Sequence, residues 1–113
     1  MVNEIKTLEP PYEILDLGDG GQLRTTIENW QLGKMKITPR TIGEEKEILA
    51  LRIWVPEDVK PTVPGYYDIT SQTLIAGLRG YLEAPGWKDL VFTIVKHGVA
   101  PTARFEVRTE KKS

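Results

Sequence analysis

The stretch Glu47–Pro56 (EILALRIWVP) constrains the fold more than any other, because it is the most strongly apolar run and alternates with period two. Leu49, Leu51, Ile53 and Val55 fall on one side of such a strand, and Ile48, Ala50, Arg52 and Trp54 on the other. The first set is purely aliphatic and predicts a core face. The second carries an arginine and a tryptophan, which predicts a partly wet working face. Pro56 ends the run, since it has no amide hydrogen to give to a sheet ladder.

The flanking segments supply partners for this strand. Lys34–Arg40 (KMKITPR) alternates as well, with Met35 and Ile37 predicted inward and Lys34, Lys36 and Arg40 outward. Residues 41–46, with Gly43, predict a hairpin loop between the two strands. Gln22–Leu32 is read as a strand, with a helix as the alternative because Leu23, Ile27 and Trp30 also fit a helical stripe; Gly33 then serves as a turn. Gly18-Asp19-Gly20-Gly21 is a turn signal and lacks the lysine and following helix of a phosphate loop.

Downstream, residues 56–65 hold three prolines and a glycine and predict a stiff loop. A helix follows, capped by Asp68 or Thr70, with Leu74, Ile75, Leu78, Tyr81 and Leu82 as its apolar stripe and Pro85-Gly86 as its stop. Tyr66 is predicted at the surface of the loop mouth, and Tyr67 at the helix start. Leu90–Lys96 and Ala103–Arg108 predict two strands joined by a loop over 97–102. The whole is one domain over 1–113, with an arm at 1–11, a barrel at 12–109 and a polar tail at 110–113.

The residue inventory removes most catalytic chemistry. There is no cysteine, so no disulfide or thiolate metal site is available, and His97 is the one histidine. Ser71 and Ser113 are the two serines available to a triad. The carboxylate pairs Glu44-Glu45 and Glu57-Asp58 sit in predicted loops near lysine and read as solvent-facing charge. No enzymatic activity, cofactor or metal is therefore expected. The sequence has no signal-peptide pattern and no apolar run near the roughly 20 residues of a membrane span, which predicts a soluble, cytoplasmic protein.

The net charge of −1 hides an uneven distribution. Residues 1–20 carry one lysine against five acids, whereas residues 21–55 carry six basic residues against four acids. Strand chemistry and charge together predict a mainly β fold with one helix, in the order β-β-β-α-β-β with an extra N-terminal strand if 22–32 is extended. On KMKITPR, EILALRIWV, the ITSQTLIAGLRGYL helix and the LVFTIVKHGVAPTARFEV hairpin, the chain resembles the OB-fold, a small Greek-key barrel, and looks like single-stranded-DNA-binding or replication-accessory proteins of phages and mobile elements. That resemblance implies binding of single-stranded DNA, with RNA as the alternative ligand, on a basic and aromatic face of two adjacent strands. Lys34, Lys36, Arg40, Arg52, Trp54, Tyr66, Lys96, Arg104 and Arg108 are the expected contacts: cations neutralise phosphates and rings stack on bases. The competing reading is a protein-interaction or assembly module without nucleic-acid binding, a homodimer or an accessory factor, which would use an edge strand, the acidic arm with its two prolines and an exposed tryptophan.

Overall fold

The computed structural model describes residues 6–37, 46–98 and 103–112. Its strands are β1 (Gln22–Thr26), β2 (Asn29–Ile37), β3 (Lys46–Trp54), β4 (Tyr66–Ile69), β5 (Leu90–His97) and β6 (Arg104–Lys111), with one helix, α1 (Gln72–Leu82), between β4 and β5. They form two three-stranded antiparallel sheets, ordered β2-β3-β4 and β1-β5-β6. β1 and β2 are separated only by Ile27 and Glu28, so one extended run of chain passes from the second sheet into the first.

The inner faces of both sheets meet the apolar stripe of α1 in one core. Leu51, Ile53 and Ile69 come from the first sheet, Phe92 and Ile94 from the second, and Leu74, Ile75, Leu78 and Leu82 from the helix. Burying an aliphatic side chain of this size contributes about 1.5–3 kcal/mol. The helical stripe thus offsets the roughly 1 kcal/mol that Gly77 and Gly80 each cost relative to alanine. α1 packs against β3 and β6. No strand pairing joins β4 to β6 among the described residues, so the sheets do not close into a barrel.

The mainly β composition with one helix agrees with the sequence reading, as does the extended state of 22–32. Several details differ. Gly33 is not a turn but lies in the middle of β2, opposite Ala50. Tyr66–Ile69 forms an unexpected strand, because its four residues follow a proline-rich loop and offer too short an alternation to stand out. Asp68 belongs to that strand and does not cap the helix. Ser71 is the N-cap, with its Oγ accepting from the Leu74 N–H at 3.4 Å. β6 runs on to Lys111, paired with Leu90, where a frayed tail was expected. The predicted loops over 38–45 and 99–102 lie outside the described residues.

Candidate nucleic-acid interface

The β2–β3 register divides the predicted binding face. Trp30↔Ile53, Leu32↔Leu51, Lys34↔Leu49 and Lys36↔Glu47 share the inner, core-side face, while Gln31↔Arg52, Gly33↔Ala50 and Met35↔Ile48 share the outer one. Lys34 and Lys36 therefore project from the opposite side to Arg52 and Trp54. The sequence reading put Met35 on the main core. Met35 is indeed fully buried, but in a second small cluster with Leu8 and Ala50, flanked by Tyr12 and Ile48. A strand with two covered faces defeats an assignment that equates apolar with one inside. Arg40 lies outside the described residues.

The outer face is covered by the chain's own N-terminal segment, which crosses it as a strap. Lys6–Leu8 runs along the β2 edge, where the Lys34 N–H donates to Lys6 O at 2.9 Å and the Leu8 N–H to Lys34 O at 2.8 Å. The strap then crosses the sheet and reaches the β4 edge, where the Asp68 N–H donates to Glu13 O at 2.7 Å and the Leu15 N–H to Asp68 O at 2.9 Å. Gly33 makes the first contact possible: a Cβ there would lie 2.7 Å from both the Leu8 side chain and the Lys6 carbonyl oxygen. Lys60 Nζ helps hold the far end through the Glu13 carboxylate at 3.0 Å, and it also donates to Thr62 Oγ1 at 3.2 Å.

Beneath the strap lies a buried ion pair. Arg52 Nε donates to Asp68 Oδ1 at 2.7 Å, and Arg52 Nη2 donates to Asp68 Oδ2 at 3.2 Å and to Glu9 O at 2.8 Å. Asp68 Oδ2 also accepts the Glu13 N–H at 2.9 Å. The guanidinium lies 3.9 Å from the Tyr66 ring centroid, Tyr66 OH donates to Pro11 O at 2.6 Å, and Trp54 meets Tyr66 edge-on at 5.7 Å. Burial works to lower the Arg52 pKa, but the hydrogen-bonded Asp68 carboxylate outweighs it and holds the guanidinium above its ordinary value. Arg52 and Tyr66, at 5% and 8% exposure, are therefore structural. Neither has a surface to offer a phosphate or a base, which corrects both expectations.

The second sheet separates the remaining candidates. Lys96 pairs with Phe105 on the inner face, whereas Arg104 stands opposite His97, and Arg108 opposite Thr93, on the outer one. Arg108 is ion-paired with Glu106, which also meets His97 Nε2 at 3.1 Å, and Arg24 is paired with Glu110. Hydrogen bonds from Arg108 and then His97 hold the Glu106 carboxyl below the usual carboxylate range. Arg104 is exposed.

Lys96 faces a cavity of about 470 Å³ at the mouth between the sheets, whose walls include Leu15, Ile69, Ser71, Gln72, Leu74 and Phe105. Gln72 Nε2 on that wall donates to Leu49 O at 2.9 Å, and Leu49 is the cross-strand partner of Lys34. Lys34 thus stands one residue from the rim, exposed because the core ends there. Among the described residues no three His, Asp or Glu side chains gather as a metal site. No helix there is long and apolar enough to cross a membrane. The strap contacts were missed from sequence, although a glycine inside an alternating strand pattern is itself a signal of close backbone approach.

The chain matches no family model, no curated protein and no solved structure with which it was compared.

Proposed function

We propose that the chain is a non-catalytic, single-stranded nucleic-acid-binding module of OB-like connectivity. Its ligand enters at the mouth between the sheets and not on the strapped face. The observation that carries this is a cavity lined by Lys96 and Phe105, with Lys34 beyond its rim, across the strand pair from Leu49, whose carbonyl oxygen accepts from Gln72 of the cavity wall. The cavity falls within the roughly 300–1,000 Å³ of small-ligand sites and offers room for a base on an apolar wall, with cations nearby for the flanking phosphates. The strand order supports the same reading: a meander (β2-β3-β4) and a hairpin (β5-β6) joined through the shared run β1–β2 give the succession of an OB barrel left open between its third and last strands.

The test is a titration of labelled single-stranded DNA and RNA oligonucleotides at three salt concentrations. Saturable binding that weakens with salt is expected. Lys34→Ala and Lys96→Ala should each reduce the salt slope by about 0.7, the share of one phosphate on a single strand. Phe105→Ala should lower affinity by roughly 1–3 kcal/mol at unchanged slope. Trp54→Ala, on the far side of the sheet, should leave binding intact. Absence of saturable binding at low salt rejects this reading.

A second reading, an assembly module, is favoured by one observation: the eight residues of β6 have no strand on their outer edge among the described residues.

A further inference from the structure

We propose that β6 is a homodimerisation strand, pairing antiparallel with β6 of a second copy about a two-fold axis at Val107. The proposal rests on the assembly reading and names its partner and register. Along β6, Arg104, Glu106, Arg108 and Glu110 occupy the outer face, as their register against His97, Val95, Thr93 and Val91 requires. With Val107 opposite Val107 of the second copy, Arg104 faces Glu110 and Glu106 faces Arg108, and the two-fold repeats both pairs. All four outward positions are then matched by opposite charge.

Other registers are penalised. A one-residue slip sets outward side chains against inward ones. Moving the axis to residue 106 sets Glu106 against itself and Arg104 against Arg108. Moving it to residue 108 sets Arg108 against itself and Glu106 against Glu110. Opposite charges facing across a strand pair are stabilising and like charges destabilising. An axis at residue 105 or 109 also opposes unlike charges, but within the strand it matches only Arg104 with Glu106 or Arg108 with Glu110, so Val107 is the centre that matches all four outward positions. The edge is reachable there: Val107 is only half-buried, and its helical neighbour Gly77, where a Cβ would lie 3.9 Å from Val107 Cγ2, is exposed. In the single chain Glu106 already holds Arg108 and His97 on this face, so the charges are arrayed before a partner arrives.

Sedimentation equilibrium of the whole chain and of charge variants tests the proposal. Glu106→Arg and Arg108→Glu should each weaken self-association roughly tenfold or more, because each turns two symmetric attractions into repulsions. The double variant E106R/R108E should restore it. A mixture of the two single variants should form a heterodimer although neither pairs with itself. The natural chain has no cysteine, so Val107→Cys should form a disulfide-linked dimer on oxidation, whereas Arg104→Cys alone should not and should link only when mixed with Glu110→Cys. A monomer at every concentration overturns the proposal and leaves the assembly reading only a different protein as partner. A dimer indifferent to the charge swaps, or one that Arg104→Cys links as readily as Val107→Cys, overturns the β6 register and leaves the assembly reading standing on another surface.

Discussion

Arg52 shows how a single residue can look functional in sequence and be structural in the fold. An arginine beside a tryptophan on an alternating strand has the chemistry of a phosphate contact, and only the partners 16 positions away at Asp68, and further back at Glu9, give it another role. Replacing Arg52 by alanine leaves the Asp68 carboxylate buried without its cation, a loss of about 3–5 kcal/mol. Urea melts should show that loss, and Arg52→Met combined with Asp68→Leu should recover much of it, since an apolar pair needs no charge partner. Glu106 permits a different measurement. Its folded pKa lies below the ordinary value of about 4.5, so its contribution to stability is present above that pH and disappears as pH falls through the folded value. An NMR titration should place the Glu106 midpoint below that of an unpaired glutamate, and Arg108→Gln should move it back up.

Among the elements, the strap was the least legible. Residues 6–11 have little periodicity, and what holds the strap is mostly backbone: two edge contacts, the Arg52 bond to Glu9 O and the Tyr66 bond to Pro11 O. Backbone recognition leaves little trace in side-chain pattern. Gly33→Ala should push the strap from β2, because the new Cβ meets Leu8 and a carbonyl oxygen that cannot both move aside. Hydrogen exchange should then quicken at the Leu8 and Leu15 amides while the β2–β3 ladder stays protected. Leu8→Ala is expected to cost about 2–5 kcal/mol, the range for a buried leucine, because Leu8 is only 2% exposed. Leu51→Ala falls in the same range, and Ile48→Ala, half-buried at the margin of the second cluster, should cost clearly less. α1 was legible because its stripe is local; β4 was not, because four residues hold too few repeats.

At the scale of the molecule, composition and alternation were enough for a mainly β chain with one helix and for the aliphatic core face of β3, while its other face, predicted partly wet, is buried at Ala50 and Arg52. What they left open was how two strands share a face, which depends on register and on whether the far side is covered. For this reason Lys34 and Lys36 were assigned to the side of Arg52, while the fold sets them on the core-side face beyond the end of the core. The salt slopes proposed above follow from that placement: they should respond to Lys34 and Lys96 and be indifferent to Trp54.

The pairing of β1 with β5 joins Gln22 to Val95 and Thr26 to Val91, so the second sheet exists only when stretches some 73 to 65 positions apart have met. The strap has the same property, since Glu13 finds Asp68 only after β3 and β4 have paired. Loop-closure entropy must be overcome before such distant contacts reward it, and chains dominated by them fold in milliseconds to seconds, well behind helical bundles of equal length. The β5–β6 hairpin and the meander β2-β3-β4 are the parts with short connections and can form early. The strap and the β1–β5 seam are expected to close last, and neither covers the outer edge of β6, which stays open to a neighbouring chain before and after they do.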